Sequence, residues 1–225
     1  MITSIYYNEY EVFYRPCTVD EDVLDHSFEN DIFLSKIPSI RIDHGSIIDI
    51  GAHIGTFSLM SSQKFKNSTI YAVEASQSSF RILERNIKTN DIINIKPFNL
   101  ALSNHNGFEK LFIAPDNWAN RIVGNHQGMP FEMVRSMSLD TFFDINQIRT
   151  CDLLKSNCEG AEFKILLSAS TKTLTKIKLM IVLYHEDFET NYTKLQIIEY
   201  LERLHFCVTL MPTSITRGWI IASRI

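Results

Sequence analysis

The sequence IIDIGAHIGTFSL at residues 47–59 decides the fold of this chain. An apolar run ends at Asp49, glycines follow at Gly51 and Gly55, and a helical pattern begins directly afterwards. A second apolar run, TIYAVE, ends at Glu74. This order predicts a strand, a tight turn, a helix and a second strand with an acid at its end. That arrangement is the first half of a nucleotide-binding βαβ unit.

The loop inside this unit indicates the kind of ligand. A dinucleotide-binding loop has a glycine at its middle position, because the backbone must approach a bulky pyrophosphate. In this chain His53 occupies that position, and its side chain obstructs the approach. The spacing of Asp49, Gly51 and Gly55 instead suits a ligand without phosphate groups, and S-adenosylmethionine is such a ligand.

The residues of the loop have separate expected roles. Gly51 permits a turn that a Cβ atom would disfavour, and Gly55 lets the first helical turn pack against the strand. Backbone N–H groups at the start of the helix would take the carboxylate of the ligand's amino-acid tail. Glu74 would accept hydrogen bonds from both ribose hydroxyls, whereas His53 would either touch the tail or cover the loop. The alternative is a glycine-containing turn that binds nothing, with Glu74 solvated.

The rest of the chain alternates strand and helix patterns and ends in a hairpin. A T-x-x-E capping box at residues 18–21 predicts an N-terminal helix after a short strand at 11–14. Strands are expected at residues 47–50, 69–74, 95–102, 151–157 and 178–184, with helices from residue 56, at 78–90, near 138, at 161–168 and at 192–204. The runs 206–210 and 219–222 read as an antiparallel hairpin. The pattern predicts an α/β fold, a doubly wound sheet with a reversed edge strand.

Length and composition limit the function classes. The 225 residues suit a single domain over residues 1–225, with an N-terminal extension at 1–45 and a variable lid insertion at 107–136, where Asn117, Trp118 and Asn120 could close over a substrate. The net charge of −4 gives no electrostatic argument for nucleic acid. The seven histidines lack metal-ligand spacing, so no metal site is predicted. Without an apolar N-terminal segment or a bilayer-length run, we expect a cytoplasmic protein that makes no membrane contact.

Four sequence blocks together resemble the FkbM family of S-adenosylmethionine-dependent methyltransferases. They are IIDIGAHIGTFSL, YAVEASQSSFRILERNI, FNLALSNHNG, and SLDTFF followed by CDLLKSNCEGAEFKILLSA, and they span roughly residues 45–185. The chain departs from the family at His53, where Asn is commoner, and at Ala75 and Ser76, which replace a proline-bearing turn. It also has Asn157 where the family usually has Asp.

The resemblance implies a Rossmann-like class I methyltransferase fold, with a mostly parallel seven-stranded sheet, an antiparallel C-terminal hairpin and helices on both faces. It further implies an O-methyltransferase that acts on a hydroxyl of a sugar, glycan or secondary metabolite. The expected partner is a small-molecule or glycan acceptor rather than nucleic acid, and the protein is expected to be a monomer or homodimer. The candidate cofactor-binding residues are Asp49, Gly51, Ala52, His53, Gly55, Thr56, Phe57, Glu74, Ala75, Ala101 and Leu102.

Candidate catalytic residues lie at the carboxyl ends of the predicted strands, where ligands bind in open α/β sheets. His185 is the first candidate for the base that deprotonates an alcohol, because neutral imidazole is available near pH 7. Glu159 is the second, either as the base or as the group that orients His185 and the substrate. Asn157 cannot accept a proton but can orient a hydroxyl. The alternatives are a strand-end histidine with a satisfied hydrogen bond, and a glutamate favoured only by a helix dipole.

Two other functions remain open at the level of sequence. Asn157 raises the possibility of a cofactor-binding protein that has lost or altered catalysis. An NAD-dependent enzyme is disfavoured by His53, for the steric reason given above.

Overall fold

The computed structural model describes residues 2–37, 39–114, 120–122, 124, 128–187 and 191–224. Its strands are β1 (Thr3–Tyr7), β2 (Tyr10–Tyr14), β3 (Ser46–Ile50), β4 (Thr69–Glu74), β5 (Ile95–Asn99), β6 (Ala101–Ser103), β7 (Gly107–Phe112), β8 (Phe131–Ser138), β9 (Leu153–Ser156), β10 (Leu179–His185), β11 (Cys207–Pro212) and β12 (Arg217–Ser223). Its α-helices are α1 (Asp20–Leu24), α2 (Thr56–Lys64), α3 (Gln77–Thr89), α4 (Leu139–Ile145), α5 (Ala161–Ser168), α6 (Thr171–Leu174) and α7 (Lys194–Arg203). A π-helical turn, Asp25–Glu29, continues α1.

The central sheet has seven strands in the order β11-β12-β10-β9-β3-β4-β5. The inner strands β3, β4, β9 and β10 pair in parallel, and they read as apolar runs because both faces of the sheet are covered. The only antiparallel pairings described in this sheet are those of β12, which lies between β10 and β11. The prediction that the reversed strand forms the edge is therefore wrong. β12 carries Trp219 and Ile220, both buried, whereas β11 is mostly exposed and suits the edge.

Apolar side chains form a core on each face of the sheet. Neighbouring residues along a strand point to opposite faces, so that Ile47 and Ile48 belong to different cores. The core around Ile48 contains side chains from α4, α5 and α7, and the core around Ile47 contains side chains from α2 and α3. Helices thus lie on both faces, as predicted. The strand ends between them are left accessible for a site.

Two local predictions differ from the structure. The expected strand at 95–102 is split, because residues 101–103 leave the central sheet as β6 and pair with β8 in a three-stranded sheet with β7. The segment 107–136, which was predicted to be a variable lid insertion, contains β7 and most of β8. The capping box at 18–21 does not form, because the Thr18 hydroxyl accepts the backbone N–H of Asp20. The helix α1 begins at Asp20 and is only five residues long. Among the described residues, no helix is long and apolar enough to cross a membrane.

Candidate active site

A cleft lies at the carboxyl ends of β3, β4 and β9, and it has an empty volume of about 1000 Å³, including the part open to solvent. Ligands of open α/β sheets bind in this position. The predicted site residues that line it are Gly51, Ala52, His53, Thr56, Phe57, Glu74, Ala75, Ala101, Leu102, Asn157 and Glu159. Of the predicted set, Asp49, Gly55 and His185 are not among the lining residues. Eleven of the predicted residues thus lie at one cleft, and the other three need a different account.

The two glycines of the first loop are required by close approach of neighbouring atoms. Gly51 has a φ of 71°, and a Cβ atom there would overlap the backbone carbonyl oxygen of Asn157. Gly55 has a φ of 92°, and a Cβ atom there would overlap the side chain of Leu83 in α3. Gly55 was predicted to allow packing against the strand, but the crowding neighbour is the next helix. Both positions favour glycine on conformation and on space.

Glu74 holds the first loop in shape as well as facing the cleft. Its Oε2 accepts the backbone N–H of His53 at 2.8 Å, and its Oε1 accepts that of Ser76 at 2.8 Å. Burial raises the pKa of Glu74, and the two backbone hydrogen bonds oppose this rise. Each carboxylate oxygen can accept more than one hydrogen bond. The group can therefore hold the loop and bind ligand hydroxyls at once.

We predict that Glu74→Ala weakens cofactor binding by about 1.5–3 kcal/mol, which is about 10- to 150-fold in Kd, because a charged acceptor is lost. Isothermal titration calorimetry with S-adenosylhomocysteine measures this change. Glu132→Ala is the matched control, since Glu132 accepts the N–H of Gln77 at the exposed start of α3. An equal Kd for the Glu74 variant and the control would contradict the role of Glu74.

Asp49 supports the loop from below. It is fully buried, its Oδ1 lies 2.9 Å from the Nζ of Lys155, and its Oδ2 accepts the hydroxyl of Ser58 at 2.6 Å. Lys155 Nζ also donates to the carbonyl oxygen of Gly51 at 2.9 Å. Lys155 lies within the fourth sequence block, whose pattern predicted no role for it. The structure shows it joining β9 to the glycine turn.

The predicted catalytic residues occupy two layers. Asn157 and Glu159 line the cleft, whereas His185 lies behind Glu159 with only 1% of its side chain exposed. His185 Nε2 is 3.6 Å from Glu159 Oε1. Burial raises the pKa of Glu159, and the nearby His185 opposes that rise. This arrangement differs from the prediction that His185 is the base at the substrate, since His185 is buried and does not line the cleft, whereas Glu159 does.

Two side-chain oxygen atoms at the cleft are buried without a hydrogen-bond partner in the described part of the chain. They are Oδ1 of Asn157 and Oε2 of Glu159. Buried polar atoms in native proteins nearly always have partners, so such atoms need an explanation. Because both residues line the cleft, a bound ligand with donor groups is the simplest one.

The N-terminal segment forms one wall of the cleft, which the sequence did not reveal. Its lining residues are Val19, Val23, His26, Ser27 and Phe33. The Ser27 hydroxyl is 2.8 Å from that of Thr56 at the start of α2. The sequence predicts a helix in this segment, but no motif indicates which part of the molecule that helix would cover.

A polar contact connects this segment to the first loop. The fully buried Asp20 forms an ion pair with Arg15 at 2.8 Å and lies 3.4 Å from Nε2 of His53. Burial lowers the pKa of His53 to about 4, although Asp20 acts in the opposite direction. His53 is therefore neutral at pH 7. It both lines the cleft and contacts the N-terminal segment.

The opposite wall comes from the segment around β7. Leu111, Asn120, Arg121 and Ile122 line the cleft there, and Asn120 Oδ1 accepts the N–H of Ala114 at 2.9 Å. The other two predicted lid residues, Asn117 and Trp118, lie outside the described residues. In the described ranges, no group of three or more His, Cys, Asp or Glu side chains could hold a metal ion.

Comparisons with known proteins identify similar chains. The family described as the Methyltransferase FkbM domain matches residues 49–207. "Methyltransferase 1" of Beauveria bassiana (strain ARSEF 2860) is 22% identical over 181 residues, which are 71% of this chain and 72% of that protein. Precorrin-6y C5,15-methyltransferase from Geobacter metallireducens GS-15 has a TM-score of 0.53 at 15% identity, covering 97% of this chain and 95% of its own. M. jannaschii TYW2 in complex with AdoMet has a TM-score of 0.52 at 15% identity, covering 100% and 87%.

Proposed function

The chain belongs to the FkbM methyltransferase family, and we propose that it transfers a methyl group to a hydroxyl of a sugar, a glycan or a secondary metabolite. It is a methyltransferase that uses S-adenosylmethionine, and the resemblance found in its motifs is confirmed. Its fold is the class I methyltransferase fold, as predicted. The NAD alternative is therefore wrong.

The residues of the cleft fit the cofactor. The Glu74 carboxylate has acceptor capacity for a sugar diol beside the two backbone hydrogen bonds that it already accepts. The first N–H groups of α2 have no partners within the helix, and they lie at the positive end of its dipole, which suits a carboxylate. Asn157 Oδ1 offers a further acceptor for an amino or hydroxyl group.

When bound, S-adenosylmethionine supplies a methyl group activated by a positively charged sulfur. The protein must then align the acceptor, and orientation of this kind can lower a barrier by about 7–11 kcal/mol. Phe33 and Phe57 line the cleft and help to exclude water from it. In this proposal Glu159 accepts the proton of the acceptor hydroxyl at Oε2.

The observation that carries the proposal is the Glu159 carboxylate, whose Oε2 is buried at the cleft without a partner among the described side chains. A hydroxyl has to lose its proton on methylation, so an O-methyltransferase benefits from a base at this point. The net charge of −4 adds no attraction for a polyanion such as RNA, which favours a neutral hydroxylated acceptor. The three proposed acceptor classes, which are sugars, glycans and secondary metabolites, are those that the family resemblance implies.

The test is single-turnover mixing of the protein with methyl-labelled S-adenosylmethionine and a panel of acceptors. The panel contains hydroxylated sugars, oligosaccharides and polyketide-like alcohols, with the matching amines and a short RNA as comparison arms. Label transferred to a hydroxyl supports the proposal. Label found only on an amine or on RNA contradicts it.

A second candidate, loss of catalysis, is favoured by one observation. Asn157 stands where the family usually has Asp, and its Oδ1 has no partner within the described ranges. Asn157→Asp restores the family residue at this position. If the native chain binds S-adenosylmethionine but transfers nothing, and Asn157→Asp transfers label, catalysis has been lost through this substitution.

A further inference from the structure

Behind Glu159 lies a buried pair of side chains that the proposed reaction does not use directly. Glu162 is fully buried in the first turn of α5, and His185 is the last residue of β10. Glu162 Oε1 accepts the backbone N–H of His185 at 2.7 Å and lies 3.0 Å from its Nδ1. Because an ionised carboxylate only accepts, Nδ1 of His185 carries the proton in this contact.

The other oxygen of Glu162 is fixed as well. Oε2 accepts the backbone N–H of Gly160 at 2.9 Å and the thiol of Cys158 at 3.5 Å. Glu162 thus binds the turn that carries Glu159 and the imidazole behind it. Glu159 has a φ of 50° and Gly160 a φ of 96°, so two successive residues hold left-handed conformations. A non-glycine residue in that region costs free energy and persists only where its surroundings enforce it.

We infer that Glu162 and His185 form a buried clamp, which positions Glu159 as a carboxylate with Oε1 toward the imidazole and Oε2 left for the acceptor hydroxyl. The inference rests on the proposed role of Glu159. Glu162 and His185 are positioning residues, since they act on the acceptor only through Glu159. In this arrangement Glu159 faces the acceptor, the imidazole of His185 contacts Glu159, and Glu162 contacts the imidazole. It replaces the prediction that His185 itself is the base that contacts the substrate.

The charges around the clamp are consistent with this role. Burial alone would lower the pKa of His185, but the hydrogen bond and charge of Glu162, together with Glu159, raise it overall. The imidazolium then offsets the burial that raises the pKa of Glu159. Two further charged groups face the clamp, Arg217 from β12 and Asp187 after β10, and they pair with each other at 2.6 Å. Their opposite charges act on Glu159 in opposite directions.

The test follows the ionisation of Glu159 itself, so that it does not require a known acceptor. Carboxyl signals of ¹³C-labelled glutamate are titrated in the cofactor-free protein, and the Glu159 signal is the one lost in Glu159→Gln. We expect His185→Gln to move the midpoint of Glu159 to higher pH by about 1–3 units, since a positive charge within about 4–6 Å is removed. Glu162→Gln keeps the acceptor oxygen but removes the charge. We expect it to lower the midpoint of the His185 ring, and to lower rather than raise the midpoint of Glu159, because the charge of Glu162 itself raises the pKa of Glu159.

His105→Gln is the matched control, because His105 sits in an exposed pair with Glu109 at 3.6 Å, and it should leave the Glu159 midpoint unchanged. Circular dichroism establishes that each variant is folded. A Glu159 midpoint that is equal in wild type and in His185→Gln would overturn the inference. Once an acceptor is known, the acidic limb of the pH profile of kcat/KM should shift in the same direction as the Glu159 midpoint of each variant, while the cofactor Kd stays unchanged. If the Glu159 midpoint shifts as expected but no methyl transfer is found with any acceptor, the clamp is supported and the proposed function is contradicted.

Discussion

Glu159→Gln is expected to lower methyl transfer by about 10²- to 10⁴-fold, the range that a positioned general base contributes. The amide keeps the size of the side chain, but it cannot take the proton of an acceptor hydroxyl. Glu159 lines the cleft beside Asn157, and its Oε2 is the buried acceptor that no described residue occupies. The cofactor's expected contacts lie at Gly51 and Glu74, so the Kd of S-adenosylhomocysteine should stay within about twofold. Single-turnover rates and calorimetry measure the two quantities separately.

A glutamate-to-glutamine change at Glu186, which follows the neighbouring strand β10, provides the control. The carboxylate of Glu186 accepts hydrogen bonds from the backbone N–H and the Nζ of Lys194, both at 2.6 Å. Glu186 does not line the cleft. Glu186→Gln should therefore leave transfer close to the native rate. The role of Glu159 fails if its variant transfers methyl groups as fast as the Glu186 variant. A loss of transfer together with a loss of cofactor affinity would indicate a structural role instead.

The pH dependence of transfer should follow from the same groups. Burial raises the pKa of Glu159, so the active carboxylate form is lost at a higher pH than for an exposed glutamate. Transfer should consequently fall as the pH drops through that raised value. His185 limits this loss, because its charge favours the carboxylate form.

The first loop could be predicted from sequence because its conformation is decided locally. Two glycines at positive φ, a strand before them and a helix after them are properties of thirteen consecutive residues. The acid of β4 follows from the same unit, since β3 and β4 pair in parallel and end together. These short-range relations account for the seven predicted cofactor residues of the loop and of the end of β4 that line the cleft, whereas Ala101 and Leu102 lie on β6.

The parts that could not be predicted depend on contacts between distant segments. The wall formed by residues 19–33 requires the packing of Ser27 on Thr56, 29 residues away. The position of His185 behind Glu159 depends on Glu162, which is 23 residues earlier on a different element. A strand-end residue can face the cleft or the neighbouring helix, and the sequence pattern is the same in both cases. The place of β12 inside the sheet likewise results from pairing with β10 rather than from a local signal.

The second large effect concerns Lys155, the cation beneath the glycine turn. Lys155→Met is expected to lower the free energy of unfolding by about 3–5 kcal/mol, because it leaves the carboxylate of Asp49 buried without its partner. The ammonium group lies 2.9 Å from Asp49 and 5.1 Å from the ring centre of Phe33, and only 3% of the residue is exposed. Methionine preserves the length and the apolar contacts of the side chain, so the change mainly removes charge. Urea unfolding, followed by circular dichroism, measures the loss.

Lys178→Met makes the same change in an exposed ion pair. Lys178 lies 2.7 Å from Asp152, but 60% of its side chain is exposed, so the expected loss is about 0–1 kcal/mol. Adding Asp49→Asn to Lys155→Met removes the stranded charge, and the double variant should lose less than the two single losses combined. Equal losses for the Lys155 and Lys178 variants would contradict the buried pair as a source of stability. A Lys155 variant that keeps its stability but loses cofactor affinity would assign the ammonium group to ligand binding, through its contact with the Gly51 carbonyl.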